Sequence, residues 1–225
     1  MDLGYIRVAA AVPQVKVADC KYNRTRICNL IDEAIKKDVQ IIVFPELCIT
    51  SYTCGDLFHQ HLLLNSAEEE LKELLSITKD IEMVIIVGMP VQADNQLFNC
   101  AVVFQKGNIL GVIPKTYIPN HSEFYERRWF ASSMSALSDT IELCGQYVPF
   151  GADILFKDGK VCFAVEICED LWVPIPPSSF HCLHGANLIF NLSASNEVIG
   201  KAQYRRSLVK QQSARCITGY IYTSA

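Results

Sequence analysis

The stretch KVCFAVEICEDLW, residues 160–172, carries a strand pattern that ends on a cysteine crowded by acids. The Val- and Phe-bearing run up to Ile167 has the composition of a strand, so Cys168 stands where a side chain can emerge beside a sheet rather than within it. Glu166, Glu169 and Asp170 are its neighbours. A thiol attacks as its thiolate, and adjacent negative charge raises its pKa. Either this cysteine is inert, or the fold brings a cation and a base to it from elsewhere. Period-two alternation predicts Glu166 on the same side as Cys168, an unexplained neighbour unless hydrogen bonds tie up its carboxylate.

Similar apolar runs recur on either side of this stretch. IRVAAAV (6–12), VQIIVFPEL (39–47), EMVIIVGMPV (82–91), LFNCAVVF (97–104), ILGVIPK (109–115) and ANLIFNLSAS (186–195) all read as strands. QKGN at 105–108 and KDGK at 157–160 read as hairpin turns, because glycine supplies the positive φ such turns require. Between strands, YNRTRICNLIDEAIKKD (22–38) sets Ile27, Leu30, Ile31, Ala34 and Ile35 on one helical face; residues 66–80 and 200–216 repeat the pattern more weakly. Strands and helices that alternate, interrupted by hairpins, predict a layered α/β or α+β fold with mixed sheets. Residues 116–134, TYIPNHSEFYERRWFASSM, hold four charged side chains amid five aromatics and read as a long ordered loop, a class of segment that often carries function.

The chain has 225 residues, half of them hydrophobic, enough to bury a substantial core in one large domain. Its net charge is -4, and no run of Lys or Arg exceeds a pair, so it has no electrostatic footprint for nucleic acid or an anionic membrane. The start lacks a secretory leader pattern and no apolar stretch reaches membrane length, which predicts a cytoplasmic protein. Of the ten cysteines, Cys28, Cys100 and Cys162 lie in apolar runs, as free thiols do in a reducing compartment. There is no CxxC pair, and His59/His61 and His181/His184 lack partners at zinc spacing, so both pairs read as surface or packing histidines and no metal is expected.

Three polar residues each close an apolar run: Glu46 after IIVFP, Lys115 after ILGVIP and Cys168 after VCFAVEI. Singly they read as a solvent-facing carboxylate, a loop lysine and a core cysteine. Together they supply general base, oxyanion stabiliser and nucleophile, the three roles that acyl transfer to a thiol needs. An ammonium at Lys115 would offset the acids around Cys168, and Glu46 would take the thiol proton as attack begins.

FPEL (44–47), PKTYIPN (114–120) and VEICEDLW (165–172), in that order, resemble the three catalytic blocks of the nitrilase superfamily of carbon-nitrogen hydrolases, across nearly the whole chain. Within it, CEDLW, EFYERRWF (123–130), and NLSAS (191–195) followed by Gly200-Lys201 resemble the glutamine amidotransferase domain of bacterial glutamine-dependent NAD synthetase. The resemblance implies an α+β fold, a four-layer αββα sandwich, with Glu46, Lys115 and Cys168 as its triad. It implies that glutamine is hydrolysed and that ammonia passes to a separate synthetase domain. It places His121 and Phe124 on the substrate pocket, although that group often carries tyrosine at the position of His121. It assigns Glu169 to the substrate amine, and Ser195 and Lys201 to the other end of the ligand. Read without it, Ser195 and Lys201 belong to a helix N-terminal region, with the lysine solvated. Glu123 and Glu126 compete as the auxiliary carboxylate that positions Lys115, Glu126 having the more distinctive context.

The resemblance also implies that residues 1–225 form the glutaminase domain alone. TGYIYTSA (218–225) reads as a strand just begun, so further C-terminal strands are expected to be missing, and without an SGGxDS run the synthetase domain is absent. The glutaminase step is expected to need no cofactor, with ATP, Mg and the NAD precursor confined to that absent domain. Glutamine, the chain's own C-terminal synthetase domain and further copies in a homo-oligomer are the expected partners. Two rival readings remain: a stand-alone ω-amidase or N-carbamoyl amidohydrolase with the same triad, and a catalytically silent interaction domain that kept the fold.

Overall fold

The computed structural model describes residues 4–225, with eleven strands and four α-helices among them. β1 (Val8–Ala10), β2 (Ile41–Val43), β3 (Val84–Ala93), β4 (Gln96–Gln105) and β5 (Asn108–Pro114) form one sheet in that order; β1 to β3 are parallel, and β4 and β5 are added as hairpins. A separate hairpin joins β6 (Thr140–Leu143) to β7 (Gln146–Pro149). The second sheet runs β11–β10–β9–β8, from β8 (Phe156–Asp158), β9 (Val161–Ile167), β10 (Leu188–Ser193) and β11 (Gly219–Ser224), with only β8 antiparallel.

Alternation along the strands builds the layers. On β2, Ile42 faces a core shared with Ile27 and Ile31 of α1 (Cys20–Ile35) and Leu71 and Leu74 of α2 (His61–Ile77). Ile41 and Val43 point the other way, into a core closed by Phe163, Val165 and Ile167 of β9 and Phe190 and Leu192 of β10. The far face of the second sheet, at Ala164 and Ile189, is covered on the side of α3 (Pro177–Leu183) and α4 (Lys201–Cys216). The order is therefore helix, sheet, sheet, helix: the αββα sandwich expected. No helix among the described residues is long and apolar enough to cross a membrane.

Both predicted hairpins form, through Lys106–Gly107 (φ 52° and 73°) and through a turn with Gly159 at φ 56°. A third, between β3 and β4, uses Asp94 and Asn95 at φ 51° and 57°, since short polar side chains tolerate the left-handed region. The terminal run 218–225 forms β11, a full six-residue partner to β10. The long segment after β5 holds only short 3-10 turns, at Glu126–Arg128 and Ser133–Ser135, as its mixed composition predicts.

One expectation fails: Glu166 does not share a face with Cys168. β9 ends at Ile167, and Cys168 takes φ 46°, so the chain turns and alternation stops one residue before the cysteine. Cys168 enters the core between the sheets, while Glu166 points to the α3 side, bonded by the Ser178 amide (2.8 Å) and the Tyr220 hydroxyl. Its carboxylate is thus tied up away from the thiol.

β2 also stops at Val43, and the chain folds across β3 to carry Glu46 inward. Phe44 donates to the Ile86 carbonyl (2.9 Å) and Ile49 to the Gly88 carbonyl (3.2 Å). The crossing works because residue 88 is glycine: a Cβ there would lie 2.4 Å from the Leu47 nitrogen and 2.6 Å from the Pro45 oxygen. Backbone on both sides cannot yield cheaply. Gly88→Ala is expected to cost about 1–3 kcal/mol of stability, as overpacking does, and to displace Glu46. Urea denaturation together with an activity assay checks this; an unchanged midpoint would show that the crossing is looser than its geometry.

Candidate active site

Glu46, Lys115 and Cys168 follow the C-terminal ends of β2, β5 and β9 and meet in the interior. Lys115 has no exposed surface, and its Nζ donates to Glu46 Oε1 (2.7 Å) and to Glu126 Oε1 and Oε2 (2.8 and 3.0 Å). Burial alone would lower the pKa of this ammonium, but Glu46 and Glu126 override it and hold the lysine charged, well above its ordinary value. Burial pushes the Glu126 carboxyl up, against the pull of Lys115 and with the repulsion of Glu46. Two carboxylates thus share one ammonium. Cys168 is enclosed beside it. Its thiol is driven upward by burial first and by Glu46 next, with Lys115 opposing, so it rests as the neutral S–H.

The two oxygens of Glu46 differ in their partners. Oε1 accepts from Lys115 and from Asn99 Nδ2 (2.7 Å each), whereas Oε2 accepts only the Ala194 amide (2.9 Å). That same amide faces the Cys168 sulfur. Oε2 is therefore the oxygen with room for a proton. Glu126 is fixed in turn by the Tyr52 hydroxyl (2.8 Å) and by Asn99 (3.5 Å). Asp170 binds three amides, of Tyr117 (2.7 Å), Thr116 (3.2 Å) and Ile167 (2.9 Å), while burial raises its carboxyl to about 7.

The structure separates the two auxiliary candidates. Glu126 bonds Lys115 directly, and Glu123 lies outside, paired with Asn196. The substrate candidates divide as well. Phe124 and Ser195 border a 330 Å³ cleft whose wall also includes the buried Glu46 and Ala194 and the half-buried Tyr52. His121 and Glu169 face each other at 3.5 Å along a neighbouring groove. Lys201 bonds Asn196 with its ammonium between the Phe124 and Trp172 rings, at 5.5 and 5.3 Å, so it latches the long loop to α4 rather than standing in solvent. Ser195 donates its amide to Ser224 Oγ (3.1 Å) and accepts from Arg205 (3.4 Å).

Sequence reading assigned no role to Tyr52, Asn99, Asp170 or the Ala194 amide. Asn99 left a signal as a polar side chain inside the apolar run LFNCAVVF, and Asp170 as part of the acidic run after Cys168. All ten cysteines are free; among the described residues there is no cluster that could hold a metal ion. His181 is buried and bonded to the Ala152 carbonyl (2.9 Å), a packing histidine.

Residues 7–222 match the family model described as carbon-nitrogen hydrolase, and the chain belongs to that family. It is 37% identical over 225 residues to a glutamine-dependent NAD(+) synthetase of Mycobacterium tuberculosis and 30% identical over 207 residues to that of Aquifex aeolicus, covering 99% and 91% of this chain. It spans 33% of each of those relatives. The crystal structure of a glutamine-dependent NAD(+) synthetase from Cytophaga hutchinsonii superposes with a TM-score of 0.86 at 30% identity, over 97% of this chain and 36% of that one. An amidase from Nesterenkonia sp. shares the fold at a TM-score of 0.75 and 15% identity, over 97% of this chain and 76% of that one.

Removing the ammonium leaves two buried carboxylates facing each other. Lys115→Ala is expected to lower unfolding free energy by about 3–5 kcal/mol, as breaking a buried pair does. Adding Glu126→Gln removes one of the stranded charges and should restore part of the loss. Urea titration of the single and double variants checks the order; equal stability of both would mean that the carboxylates do not share the lysine.

Proposed function

We propose that this chain is a glutaminase that hydrolyses the side-chain amide of glutamine through a thioester on Cys168 and supplies ammonia to a synthetase domain elsewhere in a longer protein. The observation that carries this reading is the buried Glu46–Lys115–Glu126 cluster beside a strand-end thiol, in a chain that matches part of each of several glutamine-dependent NAD(+) synthetases.

A resting S–H needs a base at the moment of attack. Glu46 Oε2, whose one partner is the Ala194 amide, accepts the proton. The sulfur bonds to the amide carbon, and the carbonyl oxygen becomes an oxyanion held by the Lys115 ammonium with a backbone N–H near the nucleophile. The tetrahedral species collapses, the C–N bond breaks, and Glu46 returns the proton to the leaving nitrogen as ammonia. Glu46 then takes a proton from water, whose oxygen adds to the thioester carbon; the C–S bond breaks, Glu46 returns that proton to the departing Cys168 sulfur, and glutamate is released. Glu126 accepts no proton in this sequence: with Tyr52 and Asn99 it holds Lys115 in place.

In this reading Phe124 and Ser195 line the cleft that admits substrate, Glu169 meets the α-ammonium, and His121 and Lys201 shape the approach. Its volume of 330 Å³ lies at the small end of ligand sites, in keeping with an amino acid. The hydrolytic step uses no cofactor; ATP, Mg and the NAD precursor belong to the synthetase partner. A reducing cytoplasm suits ten free thiols, and association into a homo-oligomer completes the proposal.

Ammonia release from glutamine and from short ω-amides tests it. Glutamine is expected to turn over, and Cys168→Ala to reduce the rate by roughly 10³-fold or more, as loss of a nucleophile does. Turnover of ω-amides with glutamine ignored would assign a stand-alone amidase instead. No turnover, with a glutamine-mimicking electrophile leaving Cys168 unlabelled, would point to a silent interaction domain.

A further inference from the structure

Asp170 lies two residues past the thiol, 2% exposed, and takes no part in the proton transfers described above. Its position is specific. Oδ1 accepts from the Tyr117 amide (2.7 Å) and the Thr116 amide (3.2 Å), the two residues that follow Lys115. Oδ2 accepts from the Ile167 amide (2.9 Å), the residue that precedes Cys168. One carboxylate thus bridges the backbone leaving the lysine and the backbone entering the nucleophile, two segments more than fifty residues apart in sequence. Lys115 and Cys168 otherwise hang from different sheets, and nothing in either sheet's own hydrogen bonding sets their separation.

We propose that Asp170 is a positioning residue for the hydrolytic chemistry: its carboxylate clamps the Lys115 and Cys168 segments in register, and the clamp is complete only while both oxygens accept. The inference rests on the proposed roles of Lys115 and Cys168. A carboxylate offers acceptor capacity on both oxygens, whereas a carboxylic acid turns one into a donor that faces amides with nothing to accept it. Protonation therefore releases one side of the bridge.

The charged groups acting on this carboxyl fix the sign. Burial raises it, the Ile167 and Tyr117 amides pull it down, Glu166 beneath β9 raises it and Lys115 across the interface lowers it, leaving it near 7. An unfolded aspartate titrates near 4, so the folded state holds the proton more tightly. Asp170 therefore contributes stability that is present below about pH 4 and is lost as pH rises through about 7. The clamp responds in the opposite sense, strengthening as the proton leaves. Activity and this share of stability are thus expected to move in opposite directions with pH.

The experiment compares wild type with Asp170→Asn, whose amide accepts on one oxygen only. In wild type, kcat should fall below about pH 7 while the thermal midpoint gains; in Asp170→Asn the acid limb of kcat should disappear and the thermal gain should shrink to the share left by Glu126 and Glu166, with kcat roughly 100-fold lower at pH 8, the scale of a small misplacement of reacting groups, and KM little changed. Labelling of Cys168 by iodoacetamide at fixed pH 8, read by peptide mapping, is independent of the substrate. Removing a negative charge alone would speed that labelling, whereas loss of register with Lys115 should slow it about tenfold, the effect of one pKa unit. Faster or unchanged labelling, or a variant with wild-type kcat and an intact acid limb, would overturn the proposal. If the variant does not fold, the wild type alone decides: thermal stability that does not decline between pH 5 and 8 overturns it. A protein that ignores glutamine would overturn the substrate reading, and the labelling and stability results would still judge Asp170.

Discussion

The structure depends on one buried ammonium. Lys115 sits where an apolar side chain would normally be, and it is held there by two carboxylates from the segments that follow β2 and β5. A charge in the interior is costly unless paired and hydrogen-bonded, and breaking such a pair costs more than building a hydrophobic contact gains. The consequence reaches far from the lysine. Glu46 can meet it only because the chain crosses β3 over Gly88, and Glu126 only because the segment after β5 returns past Tyr52 and Asn99. The irregular loop is ordered because its carboxylate is needed inside.

That arrangement also determines the resting state of the sulfur. A lone lysine beside a thiol would favour the thiolate, but this lysine is already shared between two carboxylates and offers little net positive field. With burial as the larger cause and Glu46 the next, the Cys168 thiol is held above its ordinary range. The acids next to the thiol in sequence are dispersed in space: Glu166 turns to the far side of its sheet, Asp170 is absorbed by backbone amides, and Glu169 opens to the groove. The acids that act most on the thiol come instead from residues 46 and 126.

What could be read from the sequence follows the range of each interaction. Strand runs, the first helix and the two glycine turns were legible because period and φ are local properties, and the layered class followed from their alternation. Short-range alternation failed at Cys168, where a single residue at φ 46° cancels the pattern that ran up to it. The Asp94–Asn95 turn carries no glycine to mark it, because Asp and Asn reach the left-handed region themselves. Glu46, Lys115 and Cys168 could be named from their strand-end positions. Their supports could not. Tyr52 and Asp170 act through contacts across 74 and 53 residues of sequence, and the Ala194 amide has no side-chain signature at all. Context favoured Glu126 over Glu123, but only the hydrogen bonds to Lys115 separate them.

The pairing of rigid layers with a charged site has a further physical consequence. Several buried carboxyls, Glu126, Glu166 and Asp170, are raised by burial, so each is destabilising when ionised relative to an exposed acid. The apolar contacts between the sheets and beneath the helices offset that cost. Moving these acids into solvent would relieve the cost, but it would also free Lys115 from its shared position and let the two sheets choose their own spacing. The stability lost to buried charge is thus inseparable from the geometry it imposes, because the same hydrogen bonds that make each acid tolerable are the ones that fix lysine, base and sulfur relative to one another.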